Sequence, residues 1–412
     1  MKPVLLLSNG HGEDLSGALL AKALLDRGQP VEALPLVGHG QAYYQAGITV
    51  LGQTREYSTG GLGYTSLAGR LQELSQGQVG YLLRRLTLVL RHRRRWQLVV
   101  VVGDLVPVLA AWLARQPAVV YLVAYSSHYE GRLRLPWPCG WLLRRPLFQA
   151  RWSRDALTAT DLSQQQGCDW AFHGNPFLDL VMASPEPLPR PGRQALALLP
   201  GSRLPEALAN LELMLRLLPL LPEPLHDPQR LMLRAALVRN LNADLVAGLA
   251  TRLGWSLDKA GQGEGSMVRW RRGTLLLELH WGRFAAVLAD ADLVLSMTGT
   301  AAEQAVGLGK PVLQIPGAGP QFTPGFAEAQ RRLLGPGVVC APGGSSNQRS
   351  LATSAALAAR LLERQADPIA GPAWRRELAA LGAQRIGTAG GSDRLAAAIM
   401  ELLPTPPQAR DA

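Results

Sequence analysis

The sequence predicts an α/β chain built of two Rossmann-like domains, each a doubly wound parallel sheet. Three observations predict it. Short, continuous apolar runs such as Pro3–Ser8 (PVLLLS) and Val119–Ala124 recur along the chain, as expected of parallel strands covered on both faces. Between them stand glycine- or proline-bearing turns followed by stretches of helical composition. The alternation breaks at Ala183–Arg193, which holds Pro185, Pro187, Pro189 and Pro191, and then begins again. A chain of 412 residues is too long for one ordinary core, so two units of roughly 200 residues are expected. The predicted boundaries are 1–183 for the first domain, 184–193 for the linker and 194–390 for the second. A terminal helix follows over 391–403, with a disordered tail over 404–412.

Composition narrows the function classes. The best candidate for a membrane span, Leu98–Ala114, is interrupted by Gly103, Asp104 and Pro107, so it reads as strand, turn and helix. Only Lys2 precedes the first apolar run, which is too short for a secretory core, and the cytoplasm is the expected compartment. Cys139, Cys168 and Cys340 are odd in number and widely spaced, which argues against both a disulfide framework and a zinc site. The net charge of +11 is concentrated: between Arg70 and Asp155 there are fourteen Arg against four acids. That excess implies a basic surface facing an acidic partner.

In the first half, Asn9–Gly17 (NGHGEDLSG) follows the first strand and leads into an amphipathic helix through about Arg27, with Val31–Leu36 as the next strand. Asp14 is read as the N-cap of that helix. His11 and Glu13 lie where side chains of a doubly wound sheet reach the ligand crevice, and either is a candidate general base. A glycine-rich stretch, Tyr57–Gly63, precedes apolar residues at helical spacing over Leu67–Trp96, which ends in HRRRW. Gln97–Val102 is a strand ending at Gly103-Asp104, so Asp104 is an N-cap and a candidate cleft carboxylate. Pro136–Trp152 (PWPCGWLLRRPLFQARW) interleaves Trp and Arg. Together, residues 82–96 and 136–152 have the chemistry of an anionic membrane surface contact, with rings at headgroup level and guanidinium groups on phosphates. No nucleic-acid module is recognisable, and no nucleic-acid partner is expected.

The second half opens with strand Ala195–Leu199, the loop Pro200-Gly201-Ser202-Arg203 and a helix from Leu204. The Gly201 and Ser202 amides can approach a diphosphate closely, and Arg203 supplies charge to it. Trp255–Trp281 predicts two or three minor strands. Residues 290–316 then read as strand, tight turn at Met297–Thr300, helix and strand. A glycine-bearing turn that opens a helix aims N–H groups and the positive end of the dipole at an anion. Glu303 follows Thr300 by three residues. That spacing fits a capping box, and equally a carboxylate accepting both hydroxyls of a ribose. Farther on, Gln321 and Phe322 stand at the start of another helix, after a second glycine-rich loop.

Taken together, LLPGSR with Glu206, ADLVLSMTGTAAEQ with GKPVLQIPG, and His173–Asp179 (HGNPFLD) resemble lipid-A-disaccharide synthase and its related proteins. The resemblance implies a GT-B glycosyltransferase, with two Rossmann-like domains facing a central cleft, the acceptor on the first and a UDP-sugar on the second. It implies no obligatory metal and no cofactor beyond the UDP-sugar itself. On that template Gly201, Ser202 and Arg203 meet the diphosphate, Thr298, Gly299 and Thr300 support it, and Glu303 holds the ribose, with Gln321 also at the donor. The terminal helix is expected to cross back to the first domain. The first loop, SNGHGED, departs from the synthase's glycine- and serine-rich loop, and of its two aspartates flanking a proline only Asp104 remains.

The expected function is transfer of a sugar from a UDP-sugar to a lipid or lipid-linked acceptor, by metal-independent inverting displacement at the cytoplasmic membrane surface. His11, Glu13 or Asp104 would take the acceptor proton. The alternatives are a UDP-sugar 2-epimerase and a non-catalytic, membrane-bound UDP-sugar binder.

Overall fold

The computed structural model describes residues 1–52, 54, 78–183, 186–190, 193–258, 267–317, 324–343 and 347–404. Of the sequence expectations, the Tyr57–Gly63 stretch, residues 67–77 of the helix that follows it, residues 184, 185, 191 and 192 of the linker, Gln321, Phe322 and the tail over 405–412 lie outside the described residues. The chain divides into two compact units. The first is Met1–Asp179 with Thr388–Ala412, and the second is Leu180–Gly387.

The first unit carries a six-stranded parallel sheet in the order β3-β2-β1-β4-β5-β6. Its strands are β1 (Val4–Ser8), β2 (Val31–Pro35), β3 (Thr49–Val50), β4 (Leu98–Gly103), β5 (Ala118–Leu122) and β6 (Phe148–Ser153). Every residue of β1 and β4 is buried, which is why their sequences are continuous apolar runs rather than alternating ones. The chain leaves β1 in one direction along the sheet and returns on the other side at β4. The carboxyl ends of these two neighbours are therefore the switch point where doubly wound sheets bind ligands.

Three sequence readings are corrected in this unit. Helix His11–Leu25 begins at once after Gly10, so only Asn9 and Gly10 form the loop. Asp14, read as an N-cap, lies inside the first turn and is buried beneath it. Its amide donates to Gly10 O, and its Oδ1 accepts from Ser8 Oγ at 2.5 Å. Gly17 makes room for the Tyr43 side chain of helix Gln41–Gln45, since a Cβ there would fall 2.0 Å from Tyr43 Oη. Second, residues 148–153 of the basic aromatic segment are the sheet's edge strand, with Phe148 and Trp152 in the core. Third, the HRRRW run is partly structural. Trp96 is buried and donates to Glu32 Oε2 at 2.7 Å, and Arg95 pairs with Glu32. In the middle of the preceding helix, Gln78–His92, buried Arg85 donates to the carbonyls of Leu51 and Pro35, at 2.8 Å each.

Helix Gly391–Leu402 belongs to this first unit, with Leu395, Ala396 and Ile399 packed among β1, β4 and helix His11–Leu25. HGNPFLD explains the attachment. Asp179 accepts from the amides of Gly390, Gly391 and Ser392 at 2.6, 3.2 and 2.8 Å, and so caps that helix. A Cβ on Gly391 would lie 2.8 Å from backbone atoms of Asn175, so the close approach needs glycine. Asn175, fully buried, accepts from Tyr121 Oη and donates to Arg154 O, which ties the motif to the sheet.

The second unit has an eight-stranded sheet in the order β14-β13-β12-β7-β8-β11-β10-β9. Its strands are β7 (Gln194–Leu199), β8 (Leu231–Leu237), β9 (Ser256–Leu257), β10 (Met267–Arg272), β11 (Leu275–Trp281), β12 (Leu293–Ser296), β13 (Val312–Gln314) and β14 (Val338–Cys340). From β14 to β11 all pairs are parallel, while β10 and β9 add an antiparallel edge. Its switch point falls between β7 and β12. The acids before β12 are structural. Asp290 pairs with Arg234 and Asp292 with Arg190, and Asp292 also accepts from Ala195 N at 2.9 Å. Arg234 is 2% exposed and also bonds Glu278 at 2.9 Å and Pro189 O at 2.7 Å, which fastens the proline-rich segment to the sheet.

Candidate active site

At the switch point of the first unit, Asn9 follows β1 and Asp104 follows β4. Ser8 pairs with Val102 in the ladder, so the two polar residues leave adjacent strands at the same level. Asn9 Nδ2 donates to both carboxylate oxygens of Asp104 at 3.1 Å each, and the Asn9 amide donates to Glu13 Oε2 at 2.9 Å. Asp104 also caps helix Leu105–Ala114 through the Val106 amide at 3.0 Å. Its capping and cleft readings are thus compatible. Gly103, at φ 148°, lets the Glu13 carboxyl come close, because a Cβ there would stand 2.7 Å from Glu13 Oε2.

Charge crowding shapes this corner. Burial, followed by the neighbouring Asp104 charge, pushes the Glu13 carboxyl well above the ordinary carboxylate range, against the Asn9 amide. Burial likewise raises Asp104, opposed by hydrogen bonds from Val106 and Asn9. Beneath them a buried chain runs from Tyr43 Oη to Ser8 Oγ at 2.9 Å and on to Asp14. Burial lifts Asp14 to about 7, against its bonds to Ser8 and Gly10. Of the three residues expected to do acid or base chemistry, Glu13 and Asp104 are brought together. His11 is the first residue of its helix, and its side chain lies outside the described ones.

The second unit brings its two glycine-bearing loops together. Leu199 pairs with Ser296, and the turns Pro200–Arg203 and Met297–Gly299 leave those neighbouring strands side by side. Gly201 has φ 111°, in the region that favours glycine. A Cβ on it would lie 3.7 Å from Met297 O and 3.9 Å from Thr298 Cγ2. Asn210 fixes the first turn from below by donating to Pro200 O at 2.8 Å, and Ser296 Oγ and Thr298 Oγ1 share a 2.7 Å hydrogen bond in the second. Ser202 is exposed, and Arg203 is half-buried ahead of helix Glu206–Leu217.

Gly299 is the cap residue of helix Thr300–Gly307, with no side-chain cap bond, so Thr300 is the first helical residue and does not act as a capping-box hydroxyl. Glu303 lies in the first turn, half-buried. The sequence reading missed Asn9, Gly103 and Asn210 as supports. Asn9 was visible in the first loop, but nothing local marks the partner it finds 95 residues away. Among the described residues, no group of three or more His, Cys, Asp or Glu is placed to hold a metal ion, and no helix is long and apolar enough to cross a membrane.

Several solved structures share this architecture over nearly the whole chain. The kitacinnamycin glycotransferase matches 98% of this chain with 99% of its own, at 18% identity and a TM-score of 0.59. CalG4, the calicheamicin glycosyltransferase, matches 97% with 98% of its own, at 18% identity and 0.56. The UDP-GlcNAc 2-epimerase from Neisseria meningitidis, solved bound to UDP-GlcNAc, matches 97% with 99% of its own, at 14% identity and 0.50. No protein-family model matches the chain, and no curated protein matches it. The chain has the GT-B fold.

Proposed function

We propose that the protein is a UDP-sugar-dependent glycosyltransferase, similar in chemistry to lipid-A-disaccharide synthase, that transfers a sugar to a lipid or lipid-linked acceptor. The observation that carries this reading is the pairing of two glycine-bearing turns, Gly201–Arg203 and Thr298–Thr300, at the switch point of the second unit. Converging backbone amides and a helix N-terminus stabilise a diphosphate, both as bound donor and as departing UDP. Arg203 adds charge, Glu303 takes the ribose and Gln321 completes the donor site. In the first unit Glu13 takes the acceptor proton, with Asp104 beside it and His11 as the other candidate base. Displacement is direct and inverting, with neither metal nor further cofactor.

The acceptor is reached at an anionic membrane surface on the cytoplasmic side. Support comes from fewer residues than 82–96 and 136–152 as a whole. In the second segment Trp137, 88% exposed, and exposed Trp141 accompany exposed Arg144 and Arg145, with Arg145 3.8 Å over the Trp141 ring, and in the first Leu83 and Leu90 are exposed with Arg84 and Arg91. Liposome flotation tests it: Trp137→Ala with Arg144→Glu and Arg145→Glu should lose binding to anionic vesicles, and retained binding would refute the patch.

A UDP-sugar 2-epimerase shares this architecture and is the rival reading. A screen of UDP-sugars for thermal stabilisation, followed by product analysis with and without lipid extract, separates them. Transfer only when lipid is present supports the proposal, conversion of UDP-sugar alone supports the epimerase, and stabilisation without turnover leaves a UDP-sugar-binding protein.

A further inference from the structure

Gln330 belongs to none of the motifs above, and Gln314 lies within GKPVLQIPG without a role assigned to it. Gln314 ends β13, Gln330 comes from helix Pro324–Leu334, and they are 6% and 5% exposed. Gln314 Nε2 donates to Gln330 Oε1 at 2.6 Å, while Gln314 Oε1 faces Cys340 Sγ at 3.7 Å. With its oxygen engaged, the Gln330 amide turns its Nε2 the other way, and that nitrogen takes no partner among the described residues. It points to the turn before helix Thr300–Gly307. A Cβ built on Gly299 would have Gln330 Nε2, at 3.7 Å, as its one neighbour within 4 Å among the described residues. A nearly buried amide with unused donors therefore converges with the orphan N–H groups of a helix's first turn.

We propose that Gln330 binds the donor: its Nε2 hydrogen-bonds a phosphate oxygen of a nucleoside diphosphate seated on the Thr298–Thr300 turn, and Gln314 is the positioning residue that holds the amide in that orientation. The inference rests on the reading of this turn as the UDP-sugar site. It explains why an amide rather than a carboxylate stands there. A glutamine offers N–H donors to phosphate without charge, whereas a glutamate would repel it.

Calorimetric titration of the full chain with UDP and with uridine tests it. Hydrogen bonds to charged groups are strong enough that Gln330→Met should weaken UDP binding roughly 10- to 100-fold while leaving uridine within about twofold. Gln330→Glu should lose more than Gln330→Met. If Gln330→Met does not fold, Gln330→Asn keeps the amide, shortens its reach and should show a smaller loss of the same kind. Unchanged UDP affinity in Gln330→Met, or equal losses for UDP and uridine, would overturn the proposal, because a purely structural glutamine makes no distinction between them. Failure of the wild-type chain to bind UDP would instead overturn the reading of the turn as a diphosphate site, and the inference with it.

Discussion

Asn9 reaches from the end of β1 to the end of β4 and donates one amide group to both oxygens of Asp104, 3.1 Å from each. The same residue's backbone amide holds Glu13, so one asparagine sets the spacing of two carboxyls that repel each other. Asn9→Ala should release Asp104 alone, because the backbone amide that holds Glu13 survives the substitution. Glu13→Gln tests the base directly, with turnover expected to fall by ~10²- to 10⁴-fold at unchanged UDP affinity. Because the Glu13 carboxyl titrates above the ordinary range, kcat/KM should still climb with pH where an ordinary carboxylate is already ionised. Unaltered turnover in Glu13→Gln would remove it from the chemistry and leave His11 and Asp104.

Gly201→Ala should weaken UDP binding about 10-fold. The added Cβ makes only ordinary contact with Met297 O, so the cost is backbone strain at φ 111°, which on the order of 1–3 kcal/mol would shift the turn. Calorimetry with UDP provides the measurement, and undiminished affinity would show that the diphosphate sits elsewhere.

Asp14 predicts a pH dependence of stability. Its folded value of about 7 exceeds the ordinary 3.8, so the folded chain holds a proton that the unfolded chain has already released between those values. Stability should therefore fall as pH rises from about 4 to about 7, with Glu13 and Asp104 acting in the same direction. Denaturant titrations across that range should show a shallower decline in Asp14→Asn, and an identical slope would contradict the assignment.

Arg234→Met should cost the second unit about 3–5 kcal/mol, because it leaves Glu278 and Asp290 without the buried guanidinium between them. Glu278 shows the dependence. Burial alone would raise its carboxyl, yet hydrogen bonds from His280, Arg234 and Arg269 bring it down to about 2. Chemical denaturation of this variant, compared with Arg271→Met at an exposed pair, would expose an overestimate.

The sheets were legible from sequence because their signals are local. A strand buried on both faces must be a short apolar run, and β1, β4, β7 and β12 are; PGSR and MTGT read as turns because glycine, proline and serine favour them. The edge strand Phe148–Ser153 was not legible, since an edge tolerates Gln149 and Arg151 on its open side and so looks like a surface segment. Likewise the arginines of residues 82–96 gave no sign of which was charged surface and which, like Arg85, spanned buried carbonyls.

What the sequence determined by itself is therefore the alternation of strand, turn and helix, and the residue types waiting at each strand's end. What only the tertiary structure decided is which of those ends meet. Strand order places Asn9 beside Asp104 and Gly201 beside Met297, and helix packing brings Gln330 to Gly299. Separations of that length carry no local signal, because they are set by how whole helices and strands bury their apolar faces rather than by any residue's neighbours in the chain.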